Sequence, residues 1–247
     1  MSAATAIGRS LRIYYGDPAR GAAMDALYRP HLAPGDLAFD IGAHVGDRIA
    51  SFRRLGARVV ALEPQPAPFR ALRLIHGRDA DVILVQAAAG DEAGEVRLAV
   101  NSANPTVSTA SADFVAAAAG AQGWEGQAWD REILVPCLTL DALIRAHGVP
   151  AFVKIDVEGF EDRVLAGLST PVPALSFEFT TIARAVAHRC LARIAALGHY
   201  RFALSLGESA RLEEPAWISA VEMAATLDAL PHEANSGDVY ATLTPPG

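Results

Sequence analysis

The stretch "FDIGAHVGD", residues 39–47, ends an apolar run in the carboxylate of Asp40, turns through Gly42 and Gly46 and enters an arginine-bearing segment. A turn that cradles a dinucleotide pyrophosphate reads G-x-G-x-x-G, with glycines that let the backbone approach the phosphates and a helix N-terminus facing their charge. Here the glycines stand in G-x-x-x-G, and a fixed carboxylate beside a pyrophosphate would repel it. A zwitterionic amino acid suits these residues better. Its ammonium can pair with Asp40 while its own carboxylate meets backbone N–H groups around the glycines. S-adenosylmethionine has such an end, and it also has a ribose. Glu63 lies 21 residues beyond Gly42, at the close of a second apolar run. There it can accept hydrogen bonds from both ribose hydroxyls, as an acidic residue does in nucleotide-binding folds. Taken singly, Asp40 reads as a helix cap and Glu63 as a surface acid. Together, around a glycine turn, they point to methyl transfer.

Transfer of a methyl group from a sulfonium is an in-line displacement, and holding the acceptor oxygen and methyl carbon close and aligned supplies most of the rate. An alcohol must also lose a proton. Asp156 and Glu158 straddle the turn after a later strand-like run, and Glu178 closes the next one. One of these three is expected to be the general base, its pKa raised by partial burial, with Glu158 or Asp156 preferred. "DVEG" (156–159) reads equally as a helix start, where acids suit the dipole. Lys154 falls two residues before Asp156 and so on the same side of a strand, which predicts a Lys–Asp pair, structural or functional. Converging carboxylates also suit Mg²⁺, so acid–base and metal-assisted versions both stand open. The seven histidines form no HxxxH and no Cys/His cluster, which argues against zinc, and no metal ligand is assigned.

Such residues need a scaffold that gathers strand ends. "PGDLAFDIG" predicts a turn and a strand over 36–41, "DRIASFRRLG" a helix closed by Gly56, "RVVALEP" a strand ending at Glu63, "PFRALRLIHG" a helix stopped at Gly77 and "DVILVQAA" a third strand. This alternation is that of a parallel sheet, whose carboxyl edge is where ligands bind. "GEVRLAV" (94–100) and "ILVPCLTL" (133–140) read as an antiparallel pair. The connection between them, 101–132, is long enough to be a substrate lid, with part of "ADFVAAAAGA" helical. Asn104, Thr106, Ser108, Trp124 and Trp129 could line an acceptor pocket there, the tryptophans stacking on a sugar face or filling a core. Alternation then resumes. A helix runs from the cap Thr139 to Gly148, a strand ends at Asp156, and a short helix carries Glu161 and Asp162 in its first turn. "PALSFEFT" is a strand, "ARAVAHRCLARIAALG" a helix, and "YRFALSL" and "GDVYATL" a last antiparallel pair at the sheet edge. With neither repeat nor interdomain linker, 1–247 reads as one domain, residues 1–34 forming an N-terminal helical segment.

The chain can bury a sizeable core as one α/β domain, and 51% hydrophobic with 20% charged residues argues against disorder. Its net charge of −7 and lack of a basic run speak against a nucleic-acid partner. Arg48, Arg53, Arg54 and Arg58 read as a solvated helix face. Cys137 and Cys190, far apart and in apolar stretches, read as free thiols suited to a reducing compartment. The opening residues lack a signal-peptide core and no window has the length of a membrane span, so a cytoplasmic protein without membrane partners is expected.

"LAFDIGAHVGD", "VVALEPQPAPFRAL", "VILVQAAAGDEAGEVRLAV", "VPCLTLDALI", "AFVKIDVEGFEDRVLAGL" and "ALSFEF" together resemble, in order, the FkbM-type methyltransferases of the class I S-adenosylmethionine-dependent group. The resemblance covers most of 36–200 and rests above all on K-I-D-V-E-G beside D-x-G-A-x-x-G and E-P. It implies an α/β, Rossmann-like fold: a seven-stranded, mostly parallel sheet with a terminal antiparallel hairpin and helices on both faces. It implies O-methylation of a hydroxyl on a small molecule or glycan. The family's cofactor pattern falls on Asp40, Gly42, Ala43, His44, Gly46 and Glu63, with Gln86 and Ala87 where class I enzymes meet the adenine edge. Gln86 would offer both a donor and an acceptor; His44 is not expected to be the base. Against this stand a nicotinamide-dependent oxidoreductase, disfavoured by Asp40 and the missing G-x-G-x-x-G, and a cofactor-binding module without activity, disfavoured by the full set of strand-end acids. An alanine-rich helix leaves a homo-oligomer open.

Overall fold

The computed structural model describes residues 3–244. Two helices, α1 (Ala3–Tyr15) and α2 (Pro18–Tyr28), precede the sheet. Asp17 caps α2 by accepting from the Ala19 N–H, and Pro18 supplies a first-turn residue that needs no hydrogen bond. Then follow β1 (Leu37–Ile41), α3 (Asp47–Arg54), β2 (Arg58–Leu62), α4 (Pro66–His76) and β3 (Val82–Val85). Next come β4 (Ala88–Ala89), β5 (Gly94–Val100), α5 (Ala112–Ala118), β6 (Arg131–Leu138), α6 (Leu140–His147), β7 (Phe152–Ile155) and α7 (Glu161–Ala166). The chain closes with β8 (Ala174–Thr180), α8 (Arg184–Leu197), β9 (Tyr200–Leu206), α9 (Ala220–Ala229) and β10 (Ser236–Leu243).

The main sheet has the order β3-β2-β1-β7-β8-β10-β9. β10 runs antiparallel to both β8 and β9, and the pairs β2–β3, β1–β2, β1–β7 and β7–β8 are parallel. This is the doubly wound sheet with a terminal antiparallel pair that the strand pattern predicts. Its topological switch lies between β1 and β7, where the strand order reverses and ligands settle at the carboxyl ends. Burial explains why the central strands show no regular apolar–polar alternation: every residue of β1 and of β7 is buried, Asp40 and Lys154 included, as for parallel strands covered on both faces. Leu37, Phe39 and Ile41 face one core with α6–α9, whereas Ala38 faces the other with α2 and α3.

Three features depart from the expected outline. The third strand ends at Val85, and Ala88 and Ala89 join a separate three-stranded sheet, β4-β6-β5, rather than prolonging β3. The last two strands do not form a tight hairpin, because α9 intervenes between them. Ser219 and Glu222 begin α9 with a reciprocal capping box, a local signal the apolar pattern hides. The 101–132 insert is not an isolated flap either. It folds around Val107, Phe114, Ala118 and Trp124, and the Trp129 indole N–H donates to the Val107 carbonyl at 2.8 Å.

Candidate active site

One cavity lies at the carboxyl edge of the sheet, over the switch between β1 and β7. Asp40, Gly42, Ala43, His44, Glu63, Ala87, Asp156, Glu158 and Glu178 all line it. Two of the anticipated cofactor residues do not. Gly46 takes φ +85° as the cap of α3, packed against Leu72 and His76, so it shapes the turn from behind. Gln86 is exposed on the outer surface beside Phe69, Arg70 and Arg73. The chain leaves the main sheet at Val85, which turns Gln86 outward and Ala87 inward.

The turn after β1 is built by its backbone. Gly42 has φ +87°, a conformation that favours glycine, and a Cβ there would collide with the Asp156 carbonyl. The N–H groups of Gly42 and Ala43 both donate to the Leu62 carbonyl, so they are spent inside the fold. Asp40 is 2% exposed, and its Oδ2 has no hydrogen-bond partner among the described residues. Burial first, then the negative Asp47, pushes its carboxyl up to about 7, against the pull of Arg48 and Lys154. It is not a helix cap, since Gly46 holds that place. A cation beside it would supply the missing partner.

Glu63 is likewise no surface acid. It is 2% exposed, with Oε2 accepting from the His44 N–H at 2.9 Å and Oε1 from the Gln65 N–H at 2.8 Å. Burial raises its pKa to about 8 in spite of these donors. Each oxygen keeps a lone pair for a further donor. His44 turns away from acid–base work: its Nε2 lies 2.9 Å from the Ser10 hydroxyl, and burial lowers its pKa to about 4.

The three carboxylates anticipated as bases converge. Asp156, Glu158 and Glu178 each bring an oxygen within 4.8 Å of the others. Burial, then Asp156 and Glu161, raises the Glu158 pKa well above the usual carboxylate range; burial, Asp156 and Glu158 do the same for Glu178. Glu178 Oε2 is buried without a partner among the described residues. The helix-start role that "DVEG" could have played falls to Glu161, whose Oε1 accepts from the Val157 and Gly159 N–H groups. Asp156 and Glu158 are thereby left to the cavity. The Lys154–Asp pair exists and is larger than expected: Lys154, 1% exposed, lies 3.2 Å from Asp156 and 2.7 Å from Asp238.

The walls bring in residues that no sequence motif marks. Gln65 donates to the Pro105 carbonyl at 3.0 Å and accepts from the Ser108 hydroxyl at 3.0 Å, latching the insert to the segment after β2 that carries Glu63. Of the insert residues anticipated at an acceptor pocket, Thr106 and Ser108 line the cavity, while Trp124 and Trp129 fill the insert's own core. Tyr14 from α1 and Glu208 beyond β9 complete the rim. Arg48 is a correction. It is 9% exposed rather than solvated, and it pairs with Asp47 and Glu208. The second of these partners is 160 residues away, where no helical periodicity could reveal it.

The arrangement offers an unpaired buried carboxylate, a second carboxylate with spare lone pairs and a cluster of proton acceptors, which fits a donor that carries an ammonium, a ribose and a transferable methyl. No helix among the described residues is long and apolar enough to cross a membrane. Residues 40–188 match the methyltransferase FkbM domain. The 31-O-demethyl-FK506 methyltransferase FkbM of Streptomyces tacrolimicus is 33% identical over 171 residues, 58% of this chain. The chain spans 65% of that relative's length. Among solved structures, the O-methyltransferase of Bacillus cereus in complex with SAH aligns over 97% of this chain and 91% of its own (TM-score 0.45, 10% identity). Precorrin-6y C5,15-methyltransferase of Geobacter metallireducens aligns over 91% and 87% (TM-score 0.43, 14% identity). The chain belongs to the FkbM methyltransferase family, and its methyl donor is S-adenosylmethionine.

Proposed function

We propose that the domain methylates a hydroxyl oxygen of a small-molecule or sugar acceptor. The observation that carries this reading is the cluster of Asp156, Glu158 and Glu178, whose carboxylate oxygens lie within 4.8 Å of one another in the cavity that Asp40 and Glu63 also line. The donor supplies an electrophilic methyl group on sulfur. In this reading Asp40 takes its ammonium, Glu63 its ribose hydroxyls, and the turn at Gly42–His44 with Ala87 walls its adenosine. Hydroxyl oxygens become good nucleophiles only as their proton leaves, and a carboxylate whose pKa is raised toward the working pH is the efficient acceptor. Glu158 and Glu178 are raised in this way, and Lys154 anchors Asp156 beside them. An amine acceptor would bring its own lone pair and need less of this machinery. The relative's name, an O-demethyl substrate, supports oxygen as the acceptor. So many acids in one cavity disfavour a polyanionic partner such as nucleic acid.

The test is transfer of labelled methyl to a panel of hydroxylated and amine acceptors, with products identified by mass spectrometry. A methyl ether is expected. Glu158→Gln and Glu178→Gln should each lower kcat by about 10²-fold or more, with little change in affinity for S-adenosylhomocysteine. A methylated amine as the product, or full turnover in both variants, would refute the reading. The same oxygens make a ligand set of the kind Mg²⁺ accepts. Turnover lost on chelation and restored by Mg²⁺ would place a cation in the step, and turnover indifferent to chelation would leave the proton to the carboxylates alone.

A further inference from the structure

The cavity holds a second charged group besides the acid cluster. Arg48, in the first turn of α3, is buried and lines the cavity together with Asp40 and Asp47. Its Nη1 pairs with Asp47 at 2.5 Å and its Nη2 with Glu208 at 3.1 Å. Arg20, from α2, reaches the same two carboxylates at 3.2 and 2.8 Å. Asp47 is fixed in this group, being 9% exposed with both arginines on one oxygen. Glu208 takes both arginines on its Oε2 as well, but from a more exposed position. Its side chain is 55% exposed, and it follows Gly207, at φ +51°, in the loop after β9. The arginines are thus a buried seat for carboxylate, and of the two carboxylates seated there Glu208 is the one open to water, its pKa held down to about 2 by Arg48 and Arg20.

Arg48 also lies near enough to Asp40 to draw its proton affinity down. A carboxylate acceptor site and an ammonium acceptor site therefore flank one space, as an α-amino acid requires. The glycine N–H groups of the turn are already taken, because those of Gly42 and Ala43 donate to Leu62 and that of Gly46 to Ala43. We propose that Arg48, supported by Arg20, binds the carboxylate of the donor's amino-acid end, and that Glu208 competes with the donor for that seat. Guanidinium is suited to this work, since its planar fork takes carboxylates with directional, charge-assisted hydrogen bonds. Binding of the donor displaces Glu208 and frees the loop after β9 from α2 and α3. The inference rests on the donor assignment and adds to it a recognition residue and an internal competitor.

Calorimetry with two ligands tests it. S-adenosylhomocysteine carries the amino-acid end, and 5′-methylthioadenosine shares its adenosine and thioether but lacks that end. Glu208→Gln, at an exposed site, should tighten S-adenosylhomocysteine by about fivefold by removing the competitor while leaving 5′-methylthioadenosine unchanged. Arg48→Lys, which keeps a charge in the seat but loses the fork, should weaken S-adenosylhomocysteine by about tenfold and 5′-methylthioadenosine by less than about twofold. Circular dichroism and thermal melting confirm that both variants fold. Equal or weaker S-adenosylhomocysteine binding in Glu208→Gln, or parallel responses of the two ligands, would overturn the inference while leaving the donor assignment intact. Failure of the wild type to bind either ligand would overturn both.

Discussion

The charge on Asp40 gives the sharpest handle on donor binding. Its carboxyl titrates near 7 because burial and Asp47 outweigh Arg48 and Lys154. An ammonium seated against it favours the ionised form, so only the ionised fraction of the protein is competent to bind tightly. With a free-protein pKa of about 7, that fraction is about one part in eleven at pH 6 and about nine parts in ten at pH 8, a tenfold rise. Glu63 and the ligand's own amino group also titrate nearby, so a wild-type profile alone would mix three groups. Asp40→Asn separates them, because the other two groups titrate in both proteins. The ratio of the variant's Kd to the wild type's for S-adenosylhomocysteine should therefore grow about tenfold between pH 6 and pH 8. Isothermal titration in buffers of different ionisation enthalpy should in addition show wild-type binding releasing protons at pH 6, and the variant releasing fewer. For folding, the sign is the opposite of a salt-bridged acid. A raised pKa means that the native state holds its proton longer than the unfolded chain, so Asp40 costs increasing stability as pH rises from about 4 to 7. A Kd ratio that stays flat across this range would refute the claim that Asp40 carries the ammonium.

Two further outcomes test the scaffold. Gly42→Ala should destabilise the fold by more than Gly35→Ala in urea denaturation: both glycines have positive φ, costing about 1–2 kcal/mol for alanine, but only at Gly42 would the new Cβ strike the Asp156 backbone. Equal losses would show that the turn tolerates the contact. Lys154→Met should cost roughly 3–5 kcal/mol, because it leaves Asp156 and Asp238 without their buried cation, and Lys154→Met combined with Asp238→Asn should recover part of it. No recovery in the double variant would place the cost in packing rather than charge.

The strand ends are legible in the sequence because their signals are local. An apolar run that stops at an acid marks both the end of a β-strand and the start of the binding edge, which is enough to place Asp40, Glu63, Asp156 and Glu178 on that edge. The same logic misplaces Gln86. Its run looks like one strand, but the chain changes sheets within it, and which residue faces inward after such a change depends on β6, a strand more than forty positions away. Arg48 reads as solvated because a helix pattern reports only which face is apolar. It sits instead in a group of long-range ion pairs, its own with Glu208 and that of Arg20 in α2 with the neighbouring Asp47, and neither leaves a periodic trace. The tryptophans of the insert admit two roles on sequence. Packing against Phe114 assigns them to a core.

The cavity's rim is assembled from three separate parts of the chain. Tyr14 comes from α1, Pro105 and Thr106 from the insert, and Glu208 from the loop after β9, while Arg9 in α1 donates to the Ala103 carbonyl and Ser10 contacts His44. Tyr14 and Glu208 both fall outside the block 40–188 that defines the family. Grafting that block alone into a relative would carry the strand-end acids but leave two sides of the rim to the host, so a chimera that keeps this cavity whole needs all three borders moved together.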